Sequence, residues 1–328
     1  MGGKVLISAK TVATSVAAVE RLRAGGCELR LVDTPTRGAE AWLLGQVADI
    51  DALVVAMEPV GARVIQAAQR LRVIARPGVG YDNIALDACT AAGVAVTAAN
   101  GANHESVADF TFALLLASAR RMLDAVNGVR RGEWPRLIGT EVWNKTLVIV
   151  GLGRIGLAVA RRALGFSMRV LVVEAARGGP PPLPGVEYVT LEQGLAAADY
   201  LSLHVPLTDE TRHMLDARRL ALLKRGAYII NTARAGLIDE GALIAALDSG
   251  HVAGAAIDVQ KSPAGPGPLA VHPRVLVTPH MATFSAEAME RVALNVADSI
   301  LAVLRGERPG NTVNPEAYAN RPRGGEAA

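Results

Sequence analysis

Three stretches of this chain carry residue types whose spacing could do chemistry. "VTPHMATFS" (277–285) sets His280 just beyond a short apolar strand. An imidazole titrates near neutrality, so it suits proton transfer, although a plain loop histidine also fits such a place. "NTARAG" (231–236) carries Arg234. A guanidinium grips a carboxylate through a planar fork and keeps its proton. In "TLVIVGLGRIGLAVARRALG" (146–165) an apolar strand runs into Gly151-x-Gly153-x-x-Gly156 and then straight into a helix. Gly151 permits a tight turn, Gly153 lets backbone approach a pyrophosphate, and Gly156 lets helix pack on strand. The helix start favours phosphate charge. Glu174 closes the next strand, "RVLVVE", 18 residues beyond Gly156. A carboxylate there accepts both ribose hydroxyls of NAD and repels the extra phosphate of NADP. Arg177 nearby could instead clasp a 2′-phosphate, so NAD is the favoured cofactor.

Parallel sheets are the elements that must position these groups. Short β-branched runs alternate with Ala/Leu-rich helical stretches, the pattern of an α/β chain with crossover helices. The first hundred residues predict strands over 5–8, 29–32, 52–56, 73–75 and 94–97, with a helix over 60–70. A long helix follows over 105–121, where "SVADFTFALLLASAR" keeps apolar residues at helical spacing. Further strands fall over 146–150, 169–173, 200–204, 227–231, 254–258 and 275–277, and a last helix over 286–305. "RGGPPPLPG" (177–185) reads as a surface connector, and the last residues, "NRPRGGEAA", as disordered.

The 328 residues leave room for two domains. With 51% hydrophobic but only 4% aromatic residues, the cores must be built of Ala, Val, Leu and Ile. The net charge is +3, and Arg130-Arg131 and Arg161-Arg162 are mere pairs, so no basic run marks a nucleic-acid or membrane face. Cys27 and Cys89 lie far apart without metal-ligand spacing and read as small buried hydrophobes in a reducing compartment. The N-terminus has no apolar core or cleavage site, and no run approaches the ~18 apolar residues of a spanning helix. A soluble, cytoplasmic protein without a bound metal is expected.

With those residues in view, the chain resembles the D-isomer-specific 2-hydroxyacid dehydrogenases. "ARPGVGYDNI" (75–84), "NHESVADF" (103–110), the GLGRIG turn, "HVPLTDETRHML" (204–215), "GAYIINTARAGLIDEGALIAAL" (226–247), "GAAIDV" (254–259) and "VTPHMA" occur in the family's order. The resemblance implies two Rossmann-like, doubly wound domains of parallel sheets with a cleft between them. Residues 1–100 and 286–328 would form a flavodoxin-like substrate-binding domain and 101–285 the NAD domain, with helices near 105–121 and 286–305 as crossings and hinge. It further implies a homodimer through the cofactor domain, with an arm at 127–136. Arg234 would bind the substrate carboxylate and polarise its carbonyl, aided by the backbone amides of Val79 and Gly80. Arg154 and Ile155 would face the pyrophosphate. Val205, Thr232, Ala233, Asp258 and Ala282 would line the nicotinamide side, Asp258 holding the carboxamide. Arg234 and His280 border the cofactor as well, and His280 would be the acid/base that protonates the carbonyl oxygen.

One departure stands out. The family pairs its histidine with a glutamate in Asp-Val-Phe-x-x-Glu-Pro, whereas this chain reads "DVQKSPAGPGPL" (258–269). The matching position is Ser262, or Pro263 without a gap, and no carboxylate lies between Asp258 and Glu287. Glu105 or Asp109 could substitute, Ser262 could orient the ring as a neutral partner, or the chain could be a weakly active or NAD(H)-binding regulatory member. Hydride removal from an anion that needs no acid/base step, as with formate, is a further reading. The leading expectation is an NAD-dependent D-2-hydroxyacid dehydrogenase, an oxidoreductase acting on a small 2-oxo acid.

Overall fold

The computed structural model describes residues 2–35, 38–175, 179–260 and 267–320. The chain divides into two compact units: Met1–Asn103 with Ser285–Ala328, and His104–Phe284.

The first unit holds five strands, β1 (Lys4–Ile7), β2 (Glu28–Leu31), β3 (Ala52–Val54), β4 (Val73–Arg76) and β5 (Ala95–Ala98). All pair in parallel, in the order β2-β1-β3-β4-β5, as in flavodoxin-like sheets. Alternation along each strand splits the core in two. Val5, Ile7 and Val54 face one layer, and Leu6, Leu53 and Ile74 face the other. The helix Ala286–Leu304 belongs to this unit and covers the first layer. Its Val292, Val296, Ile300 and Val303 recur at helical spacing and are buried, so the chain's end closes the sheet its beginning built.

The second unit holds β6 (Thr146–Val150), β7 (Arg169–Val173), β8 (Val186–Tyr188), β9 (Tyr200–Leu203), β10 (Ala227–Asn231), β11 (Val252–Ile257) and β12 (Val275–Val277). They pair in parallel in the order β12-β11-β10-β9-β6-β7-β8. Strand order reverses between β6 and β9, the switch point at which doubly wound sheets open a crevice for ligands. Leu147, Ile149, Val170 and Val172 pack against the helices His104–Ala119 and Arg154–Gly165, while Val148, Leu201 and Ile229 pack on the opposite face.

Sequence and structure differ at a few edges. β8 is a three-residue edge strand, too short for its alternation to be read. The helix expected over 105–121 runs His104–Ala119, stops where Arg121 enters the left-handed region (φ 49), and is followed by a separate helix, Met122–Arg130. The helix expected over 60–70 is only Ala62–Ala67. Arg177, Ser262 and Pro263 lie outside the described residues.

Candidate active site

The site residues expected in the second unit lie past the C-terminal ends of its strands, most of them within three residues. Gly151 follows β6, Glu174 follows β7, Val205 lies two residues past β9, Thr232 to Arg234 follow β10, Asp258 follows β11, and His280 lies three past β12. Because all seven strands are parallel, these ends share one edge of the sheet.

Glycine at the phosphate turn answers two separate demands. Gly151 has φ +93, and a Cβ there would sit 2.8 Å from both His204 O and Val205 Cγ1. At Gly156 a Cβ would overlap the Gly151 carbonyl, which is the close helix-to-strand approach the motif requires. Gly153 differs, for nothing lies within 4 Å of where its Cβ would stand. It is the N-cap of the helix Arg154–Gly165, caps no amide with a side chain, and has no acid in the first turn after it. The helix start, with Arg154 exposed and Ile155 half-buried, thus offers open amides and space to a pyrophosphate. Glu174 Oε2 accepts from Leu152 N at 2.7 Å, so the acid expected to meet the ribose is tied to the same turn. These residues fit a dinucleotide.

The Arg234 loop is shaped by Asn231, the last residue of β10 and fully buried. Asn231 Oδ1 accepts from Ala233 N at 3.0 Å, and Nδ2 donates to Arg234 O at 2.8 Å. Arg234 is extended (φ −146, ψ 140), and its Nη1 donates to Ala233 O at 2.7 Å. Amide and guanidinium together fold Thr232 to Arg234 into one compact turn.

The His280 loop is held differently. His280 is exposed and sits in the left-handed region (φ 55), where a non-glycine residue is strained by about 1 kcal/mol or more. Asp258 compensates. Only 1% exposed, its Oδ1 accepts from Thr278 Oγ1 at 2.6 Å and from Met281 N at 2.9 Å, and its Oδ2 accepts from Ala282 N at 2.9 Å. Three donors satisfy the buried charge and fix the backbone on both sides of His280. A carboxylate has roughly four acceptor positions, so a fourth remains for a carboxamide N–H.

Glu105 and Asp109, the acids weighed as partners for His280, both engage Arg162. Arg162 Nη2 lies 2.8 Å from Glu105 Oε2 and 2.6 Å from Asp109 Oδ1. Both carboxylates therefore key the helix His104–Ala119 to the helix Arg154–Gly165. His204, for which the sequence implied no chemical role, places Nε2 2.8 Å from Ser202 Oγ, and burial pushes its pKa down to about 4. It is neutral at physiological pH.

In the first unit, Val79 and Gly80 form the turn after β4, half-buried. Ala99 N donates to Gly78 O at 2.9 Å, which steadies this turn, and the amides of Val79 and Gly80 make no hydrogen bond among the described residues. Two such amides can accept an anion.

The anchors Asn231, Thr278 and Ser106 were not singled out from sequence. Asn231 bonding the amide two residues on is an Asx turn, a local pattern that "NTA" already displays. The partners of Asp258 lie 20 to 24 residues away, so nothing local announces them.

A switch-point phosphate turn beside an arginine loop and a histidine loop on one sheet edge is the equipment of a nicotinamide-dependent oxidoreductase. The family described as D-isomer specific 2-hydroxyacid dehydrogenase, NAD binding domain, matches residues 112–282. A glyoxylate reductase of Korarchaeum cryptofilum is 44% identical over 292 residues, covering 86% of this chain and 88% of that protein. A D-3-phosphoglycerate dehydrogenase of Mycobacterium tuberculosis is 41% identical over 318 residues, 94% of this chain and 58% of that one. The crystal structure of TT0316 protein from Thermus thermophilus superposes with a TM-score of 0.86 at 39% identity, covering 94% and 99% of the two chains. This chain belongs to the D-isomer-specific 2-hydroxyacid dehydrogenase family. It is an NAD-dependent oxidoreductase that moves hydride between the cofactor and a small 2-oxo or 2-hydroxy acid. No helix among the described residues is long and apolar enough to cross a membrane.

Proposed function

We propose that this enzyme reduces small 2-oxo acids with NADH, glyoxylate foremost, and that Arg234 and His280 are its catalytic residues. The grip of Asp258 on both flanks of a strained His280 carries this reading, because a chain that merely sensed NAD(H) has no use for a fixed imidazole. Arg234 takes the substrate carboxylate and polarises the 2-oxo group, and in the first unit the Val79 and Gly80 amides are donors suited to a carboxylate. NADH, when bound, supplies the hydride to the carbonyl carbon. His280 gives its proton to the carbonyl oxygen, so one hydride and one proton turn the 2-oxo acid into the 2-hydroxy acid. The second unit serves the cofactor and the first the substrate, with Gly151, Gly153, Arg154, Ile155, Gly156 and Glu174 on the phosphate and ribose side. Val205, Thr232, Ala233, Asp258 and Ala282 border the nicotinamide.

The protein works as a cytoplasmic homodimer in this reading. The helix Met122–Arg130 exposes Met122, Leu123, Val126 and Val129, and the segment after it exposes Trp134, Ile138 and Trp143. That much apolar surface fits burial against a second copy. The deciding assay is NADH oxidation with glyoxylate, hydroxypyruvate, pyruvate and phenylpyruvate. Turnover strongest with the small acids is expected. Tight NADH binding with no turnover of any of them would instead favour the regulatory alternative.

A further inference from the structure

The helix His104–Ala119 carries two buried hydroxyls that reach the two active-site loops. Ser106, 8% exposed, donates from Oγ to Ala282 O at 2.9 Å, two residues past His280. Thr111, fully buried, lies with Oγ1 3.1 Å from Thr232 Oγ1, two residues before Arg234. The protons can be assigned. Thr111 Oγ1 lies 2.8 Å from Val107 O, and a carbonyl only accepts, so the Thr111 proton goes there. Thr232 must then donate to Thr111, which fixes its hydroxyl proton and leaves its two lone pairs as acceptors. The two anchors are five positions apart, a rise of about 7.5 Å on a rigid rod. The rod is itself immobilised, with Ala108, Phe112 and Leu115 in the core and Glu105 and Asp109 on Arg162 of the helix that opens at the phosphate turn.

From this geometry we infer that the helix His104–Ala119 is a splint that sets the spacing of Arg234 and His280, with Ser106 and Thr111 as positioning residues. The inference rests on the catalytic assignment of Arg234 and His280 given above. Asn231 and Asp258 shape each loop from within, whereas Ser106 and Thr111 reference the loops to one another and to the phosphate turn. A ketone must meet a guanidinium and an imidazole at once, so an error in their separation impairs catalysis even where each loop keeps its own form.

The two hydroxyls should act on different kinetic constants. Thr111→Val keeps shape, removes the acceptor of the Thr232 proton and loosens the carboxylate-binding loop. KM for the 2-oxo acid should rise on the order of 10-fold, below the ~10²-fold that a displacement of about 1 Å can produce. Thr111→Ser retains the hydroxyl and should stay within about 2-fold of the parent, since the hydrogen bond is kept. Ser106→Ala frees Ala282 O beside the proton donor, and kcat should fall on the order of 10-fold with KM little changed. Should Ser106→Ala fold poorly, Ser106→Cys keeps the bulk with a weaker donor and should show the same kcat-selective loss at smaller size. Steady-state kinetics of NADH oxidation, with thermal unfolding of each variant, decide it. Valine and serine behaving alike at position 111 overturns the inference, as do kcat and KM losses that merely track Tm. Arg234→Lys and His280→Ala run alongside. If they destroy activity while the hydroxyl variants match the parent, only the splint fails. If they keep activity, the catalytic assignment fails and takes the splint with it.

Discussion

The Arg234 loop and the His280 loop solve the same problem with different chemistry. Each follows a strand of one sheet, and each is shaped by a buried polar residue at a strand end, Asn231 for the first and Asp258 for the second. Asn231 meets one donor and one acceptor, Ala233 N and Arg234 O, so an amide with both functions matches. Asp258 meets three donors and no acceptor from its loop, so only a carboxylate matches. The contrast follows the cargo. A permanently charged arginine can lean on its own backbone, as Nη1 does on Ala233 O. A histidine held in the left-handed region needs its neighbours gripped on both sides.

Several substitutions sharpen or break this contrast, and the largest effect belongs to the arginine. Arg234→Lys keeps the charge but loses the two-pronged grip, and kcat/KM should fall by ~10²-fold or more. Near-normal kcat/KM in that variant removes Arg234 from the site. Asp258→Asn sets an NH2 against the Thr278 hydroxyl or the loop amides, leaving a buried donor unmet at about 1–3 kcal/mol. Unfolding in urea should register that loss, and kcat should drop roughly 10-fold or more as the loop relaxes. If Asp258→Asn is as stable and active as the parent, the clamp is not what holds His280. Thr278→Val removes one of the three donors and should produce the same pattern at smaller size, about 1 kcal/mol.

Cofactor choice tests the neighbouring turn. Glu174 should make the enzyme prefer NAD over NADP, and Glu174→Ala should narrow the ratio of kcat/KM values because the repulsive element is gone. An NADP preference in the parent contradicts that role. The smallest effect concerns His204. Its folded pKa near 4 lies below the ordinary histidine value, so between those two values the unfolded chain binds more protons. Its contribution to stability is complete above about pH 6.5 and is lost as pH falls toward 4. His204→Gln should flatten that part of the urea-measured stability profile, and an unchanged slope assigns acid sensitivity to other groups.

Much of this is legible in the residues alone. Strand ends announce themselves through β-branched runs that stop at Gly151, Glu174 and Asp258, and parallel topology then brings those ends to one edge. The glycine spacing carries its own physical meaning, which the close approaches at Gly151 and Gly156 bear out. Long-range pairing is not legible in that way. That Glu105 and Asp109 meet Arg162 depends on how two helices cross, and Arg162 lies 53 residues beyond Asp109. The same holds for Ser106 and Ala282, 176 residues apart. The break at Arg121 is hidden because "ASARRML" stays helix-compatible residue by residue, and only the left-handed turn divides it.

The contrast between the loops has value only if His280 transfers the proton. The direct test is the pH dependence of kcat/KM for glyoxylate reduction by NADH, in the parent and in His280→Ala. The parent rate should fall on the alkaline side as the imidazole loses its proton, and the variant should lose that limb together with most of its rate. A His280→Ala enzyme that keeps both the rate and the alkaline limb contradicts the account.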